Sequence, residues 1–296
     1  MSSAAAIITG ADEGHAHYLH SLLNSIRAFN DTKMPVFVID FGLSKETAGD
    51  LKAKHPGVAL LPIDTLSKRT DEDIEKMSRV PGVLDLPWKG YVLKTMRKLC
   101  LADWTETKSW LWLDADTLVL APISQWLPPK VTGRLMAGRN SRQSLAFHFK
   151  DRNPLVREAL ASQLFLRTGA KFISPTSWNS GVVFTDAAYY KSMVDYARER
   201  FLVDFGPYLM GDQAVLNAAM ALQGLMADPL PAGVNVSIRN STDEECALVE
   251  QEAGPSITLQ GRACSVYHFL HIKPAQAHAT SHPVSQLFYR WLNHSG

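Results

Sequence analysis

The stretch Ser109-Trp-Leu-Trp-Leu113-Asp114-Ala-Asp116 decides how the rest of the chain is read. Ser109 to Leu113 carry no charge and read as a strand. The run then stops at two carboxylates. On an extended strand end, residues i and i+2 point the same way, so Asp114 and Asp116 leave the sheet together. The carboxyl ends of strands in an open α/β sheet are where ligands sit. Two hard oxygen donors there suit Mg²⁺ or Mn²⁺ shared with a substrate diphosphate, whose charge the metal offsets. The chain carries its own control. Asp71-Glu-Asp73 has the same spacing, but in the mixed charged run 68–76, which reads as solvated surface.

Upstream, the small-apolar run 4–9, closed by Gly10, reads as a first buried strand. From His17 onward Tyr18, Leu22, Leu23, Ile26 and Phe29 recur at helical spacing. A second strand follows at 35–40, then a helix capped by Ser44 and a third strand at 58–63. Residues 91–104 form a helix by the spacing of Leu93, Met96, Leu99 and Cys100. This β-α-β-α-β start predicts an α/β class: a mostly parallel twisted sheet flanked by helices. Downstream, strands are expected at 135–139, 180–185 and 265–270, helices at 187–201 and 212–222, and a helical insertion at 142–175. Pro128-Pro129 is the one seam the sequence offers. The chain reads as a single continuous unit, with a nucleotide half of about 1–120 and an acceptor half of about 121–296 after it.

The chain has 296 residues, enough to bury a core without staples, and a net charge of +1. That balance excludes nucleic acid as a main partner and leaves peripheral membrane contact open. Cys100, Cys246 and Cys264 form no paired or zinc-type spacing and read as free thiols of a reducing compartment, hence a cytoplasmic location. The N-terminus lacks a basic segment before a long apolar run, so no signal peptide or membrane span is expected. The sequons at Asn30, Asn235, Asn240 and Asn293 are read as accidental.

With these elements in place, the segment from Trp110 to Val119 resembles the DxD segment of GT-A glycosyltransferases. The resemblance is to family 8, the retaining group that includes glycogenin and bacterial lipopolysaccharide galactosyltransferases. Ala11-Asp12-Glu13, with Tyr18 beyond, is similar to the family's uridine-binding start. Arg97, seventeen residues before Asp114, matches an arginine that reaches the donor. Trp178-Asn179-Ser180-Gly181 resembles its Asn-Ala-Gly strand, and Gly211-Asp212-Gln213 its Asp-Gln-Asp helix start. His268-Phe-Leu-His271-Ile-Lys273-Pro274 resembles its His-x-x-Gly-x-x-Lys-Pro ending. The resemblance implies a hexose transferred from a UDP-sugar to a saccharide, glycolipid or protein acceptor. It implies donor contacts along Asp114, Ala115 and Asp116, and His268 as third metal ligand. Three departures stand out: Ala214 replaces the second carboxylate of the triplet, His271 replaces glycine, and Lys273 comes one residue early.

Each residue also has its own chemistry. Asp12 can accept the N3–H of uracil, or simply cap a helix. Lys94 and Arg97 lie one helical turn apart and can converge on phosphates, while the neighbouring Lys98 reads as surface charge. Asn179 and Asp212 can hydrogen-bond sugar hydroxyls, with Gly181 permitting close approach, though Asp212 also suits an N-cap. Gln213 offers an amide oxygen to the anomeric carbon. Imidazole favours Mn²⁺ over Mg²⁺, and Lys273 would neutralise a β-phosphate. A nucleotidyltransferase would want a Gly-rich phosphate loop after the first strand and a dehydrogenase GxGxxG, and neither is present. A non-catalytic GT-A-like domain is the remaining alternative.

Overall fold

The computed structural model describes residues 5–80, 89–139, 145–169, 177–237, 246–270 and 282–294. The chain begins β1 (Ala5–Ala11), α1 (Ala16–Phe29), β2 (Val36–Asp40), α2 (Lys45–Lys54), β3 (Val58–Pro62), α3 (Lys68–Ser78) and α4 (Lys89–Met96). It continues through β4 (Ser109–Leu113), β5 (Thr117–Val119), β6 (Leu135–Arg139), α5 (Pro154–Thr168), β7 (Trp178–Asp186) and α6 (Ala187–Arg200). After α7 (Leu202–Phe205), α8 (Asp212–Leu222) and β8 (Asp228–Pro229) come β9 (Cys246–Gln251), β10 (Gly254–Leu259), β11 (Arg262–Ala263), β12 (Val266–His268) and α9 (Pro283–Leu292).

Seven strands form the central sheet in the order β3-β2-β1-β4-β7-β6-β8. The first four run parallel, as helical crossovers between neighbouring strands in the β-α-β-α-β start require. β7 runs antiparallel between β4 and β6. Alternation along β4 feeds two cores: Leu111 and Leu113 pack with α1 and α9 on one face, Trp110 and Trp112 with α6 and α8 on the other. Ser44 caps α2 as expected, accepting from the Thr47 N–H at 3.1 Å.

Three differences from the sequence reading have physical causes. The charged run 68–76 is helix α3, and Asp73 faces inward, where its carboxylate takes the Arg198 Nε at 2.7 Å. The helix read over 91–104 stays α-helical only to Met96 and tightens to a 3-10 segment, Arg97–Asp103. The insertion at 142–175 is helical as expected and supplies α5, with Asn153 accepting from the Leu155 N–H as N-cap. A three-stranded antiparallel sheet, β11-β10-β9, and helix α9 close the C-terminal part, and the sequence reading had neither. α9 is locked by Asn24 Nδ2 donating to the Trp291 carbonyl (2.8 Å) and Trp291 Nε1 to the Pro255 carbonyl (2.9 Å). No helix among the described residues is long and apolar enough to cross a membrane.

His148, 3 % exposed, ends the 3-10 turn Leu145–His148, and burial pushes its pKa from 6.5 down to about 4. The unfolded chain therefore takes up a proton before the folded one does. Its contribution to stability is complete above pH 6.5 and is lost as pH falls toward 4. At about 1.4 kcal/mol per pKa unit, His148 gives at most about 3.5 kcal/mol of acid sensitivity. Denaturant midpoints measured from pH 7 to 4 should fall, and His148→Phe should flatten that slope.

Candidate active site

β1 and β4 are neighbours in parallel register, with Ile8 opposite Trp112. Asp12 and Asp114, each one residue past its strand, therefore emerge at the same sheet edge. A tight turn follows, in which the Thr117 N–H and hydroxyl both donate to the Asp114 carbonyl (3.0 and 2.7 Å). β5 then leaves the turn and pairs antiparallel with β12, setting His268 opposite Thr117. A three-residue ladder thus carries a residue from near the C-terminus to the DxD turn.

His268 is 2 % exposed, and its Nε2 lies 3.2 Å from Asp116 Oδ1 and 3.9 Å from Asp114 Oδ2. One donor atom from each of Asp114, Asp116 and His268 falls within 4.8 Å of the others, so the trio can hold a metal ion. Asp114 divides its oxygens between two tasks. Oδ1 accepts from Trp112 Nε1 and from Lys98 Nζ, and Oδ2 turns toward His268. Two carboxylate oxygens and one imidazole nitrogen fit a divalent cation that tolerates nitrogen.

Lys98 corrects the sequence reading most sharply. It is 8 % exposed, and its ammonium donates to Asp114 Oδ1 (2.9 Å) and the Ser180 carbonyl (2.6 Å), lies 3.5 Å from Asp212 Oδ2, and sits over the Trp112 ring. The face rule fails because 98–102 are all buried; this tight segment is enclosed all round, with no solvent side. Arg97, its half-buried neighbour, forms no ion pair or side-chain hydrogen bond among the described residues. Asp212 opens α8 at its first helical position, with Gly211 as the cap residue. Burial pushes its carboxyl above the ordinary range, Lys98 pulls it back, and Asp114 raises it further. Its buried Oδ2 has no hydrogen-bond partner among the described residues.

The remaining expected residues surround this centre. Asp12 is ion-paired to Lys94, and its Oδ1 meets His15 Nδ1 at 2.7 Å, so Lys94 turns to the aspartate instead of joining Arg97. Ala11 and Ala115 are buried in the core beneath the edge. Tyr18 is 6 % exposed and packs on Phe269 and Phe288; burial, with Asp116 next, raises its pKa to about 12. Gln213 Oε1 accepts the Ser180 N–H at 3.1 Å. Asn179 Oδ1 accepts the Gly181 N–H at 2.8 Å, and what approaches Gly181 closely is His268: a β-carbon there would lie 2.1 Å from its Cε1. Lys273 and the Pro274 beside it lie outside the described residues.

No protein-family model matches the chain, and no curated protein does. Solved structures do match. A glutamine-to-glutamate active-site mutant of LgtC superposes with a TM-score of 0.62 at 16 % identity, over 96 % of this chain and 94 % of that one. The galactosyltransferase LgtC in complex with donor and acceptor sugar analogues gives 0.60 at 16 %, over 97 % and 94 %. Mouse xyloside xylosyltransferase 1 gives 0.52 at 12 %, over 89 % and 96 %. The fold is that of the GT-A glycosyltransferases. In this GT-A sheet the DxD turn of Asp114 and Asp116 stands at the β1–β4 edge, as the α/β reading expects.

Sequence reasoning missed Lys98, Trp112 as a partner of Asp114, and Asn235, whose amide meets both His268 and Asn179. The one available signal for Lys98 was its position before Leu99-Cys100-Leu101-Ala102, an apolar run without polar interruption. Removing one partner of a buried charge cluster leaves the others uncompensated. Lys98→Met should cost about 3 kcal/mol of unfolding free energy in urea. Arg97→Met should stay within about 0.5 kcal/mol of the parent.

Proposed function

We propose that this GT-A chain transfers a hexose from a UDP-sugar to a hydroxyl of a saccharide, glycolipid or protein acceptor, with retention at the anomeric carbon. Asp114, Asp116 and His268 would hold Mn²⁺, with Mg²⁺ the weaker substitute. The observation that carries this reading is the convergence of an oxygen, oxygen, nitrogen set beside Asp12 at the β1–β4 edge. Donor and acceptor sugar analogues bound to LgtC, whose fold this chain shares, support it. The nucleotide would occupy the half before residue about 120, while the later half would read the acceptor, α5 included, and supply the C-terminal metal and phosphate segment.

The bound metal would supply positive charge at the departing diphosphate. The chain's own residues do the rest. Asp12 would accept the uracil N3–H once Lys94 shares it with the nucleotide. The Oδ2 of Asp212, ion-paired to Lys98 at 3.5 Å but without a hydrogen bond among the described residues, would accept from a sugar hydroxyl. Arg97, unpaired among the described residues, and Lys273 would reach the phosphates. Gln213, in the segment that resembles the family's Asp-Gln-Asp start, would lie below the anomeric carbon; an amide is a poor nucleophile.

With Ala214 in place of a second carboxylate, front-face substitution fits best. The bond from the anomeric carbon to the UDP oxygen breaks as the acceptor oxygen bonds on the same face. The departing oxygen takes the acceptor's proton. Stabilising that leaving group is the main catalytic contribution, so no single residue acts as an indispensable base.

A ligand that binds only the folded state must raise its melting temperature. UDP with Mn²⁺ should do so beyond either alone, and Asp116→Ala should abolish the joint effect while leaving the metal-free melting temperature within a few degrees. An unchanged joint shift in that variant would refute the metal assignment. NMR of the product from an α-linked UDP-hexose should show an α-linkage; a β-linked product would overturn retention.

A further inference from the structure

We propose that Asn235 is a positioning residue that fixes the tautomer and the aim of His268, through a relay that starts at a backbone amide. This deepens the metal reading above and rests on it for its consequence, though not for its geometry. The Gly181 N–H can only donate, and it donates to Asn179 Oδ1 at 2.8 Å. That contact identifies the Asn179 atom as oxygen. Asn235 must therefore present its NH₂ to the same oxygen, at 2.9 Å, and its own carbonyl oxygen points the other way. That oxygen meets His268 Nδ1 at 2.9 Å. Since an amide oxygen only accepts, Nδ1 carries a hydrogen in this contact, and Nε2 is the ring nitrogen turned toward Asp116 Oδ1 and Asp114 Oδ2, where its lone pair would be the one to meet a metal ion held by the same carboxylates.

The backbone is shaped around this relay. Asn235 has φ +60°, in the left-handed region that asparagine tolerates better than most residues. Its amide packs against Gly138, at the irregularity in the β6–β7 register, where a β-carbon would come within 2.5 Å of Asn235 Nδ2. On the other side, a β-carbon at Gly181 would collide with the His268 ring. Two glycines on adjacent strands thus clear the space for the amide and for the ring. The partner that orients a ligating histidine is a recognised determinant of metal affinity, and losing it costs roughly 10- to 100-fold.

Two measurements test the relay, one of which needs no metal. Long-range ¹H–¹⁵N spectra of the metal-free protein at alkaline pH, with the signal assigned by its loss in His268→Gln, should show the Nδ1–H tautomer. Asn235→Gly keeps the left-handed backbone at ease and removes only the amide. It should shift the ring toward Nε2–H, because Asp116 then offers the remaining acceptor, and weaken Mn²⁺ binding roughly 10- to 100-fold by titration of free Mn²⁺ with electron paramagnetic resonance. Asn235→Asp keeps the acceptor for Nδ1 and loses the donation to Asn179; it should retain the tautomer and bind Mn²⁺ within about threefold of the parent. An unchanged tautomer in Asn235→Gly would overturn the proposal. So would Asn235→Asp behaving like Asn235→Gly, since the link to Asn179 would then be the operative one. If the parent takes up no Mn²⁺, the metal reading fails, and the tautomer spectra still judge the relay.

Discussion

Three carboxylates, Asp114, Asp116 and Asp212, are drawn to one end of a sheet, and the ammonium of Lys98 sits between two of them. Like charges brought together at a partly dry site repel more strongly than they would in water. Lys98 offsets that repulsion from inside the protein. Its three oxygen contacts come from three different elements: the end of β4, strand β7 through the Ser180 carbonyl, and the start of α8. The same ammonium therefore neutralises the edge and ties together the pieces that form it. Asp114 can turn Oδ2 outward because Lys98 and Trp112 already occupy Oδ1.

The parallel half was legible because the burial of β1 and β4 on both faces leaves a strong mark. β1, β2, β3 and β4 are apolar runs punctuated by turns, and α1 shows its inward face plainly. The group Asp114, Asp116 and His268, which can hold a metal ion, was legible for a different reason, since Asp114-Ala-Asp116 and His268 sit in segments that resemble one family's motifs. β9, β10 and β11 were not, because their half-buried, polar-interrupted sequences gain regularity only by pairing with one another. Lys98 was misread because a charge on a helical segment is assigned to water by default, a rule that lapses where every side of the segment is enclosed. Asn235 left no signal at all. Its role depends on Gly181 and Gly138, 54 and 97 residues away along the sequence, and no local pattern encodes such a meeting.

The DxD turn and its histidine also show how the two parts of the chain depend on each other. β5 has three residues and little pairing of its own, so its partner β12 stabilises it as much as it is stabilised. Behind β12 stands an aromatic stack, Tyr267, Phe269 and Phe288, that runs on to Tyr18 in α1. α9 closes over α1 through Trp291. The residues after β8 thus hold the DxD turn against the first helix of the chain, and the geometry of the edge is a property of the whole sheet.

Asn235-Val-Ser237 has the pattern that oligosaccharyltransferases modify, yet its amide nitrogen is already committed to Asn179 and lies against Gly138. A glycan can reach that nitrogen only while the chain is still unfolded. Once attached, it would crowd Gly138 and Asn179 and displace the side chain whose oxygen meets His268 Nδ1. Production of this protein through a eukaryotic secretory route therefore carries a specific hazard that bacterial production lacks: a sugar written onto the very amide that the histidine needs.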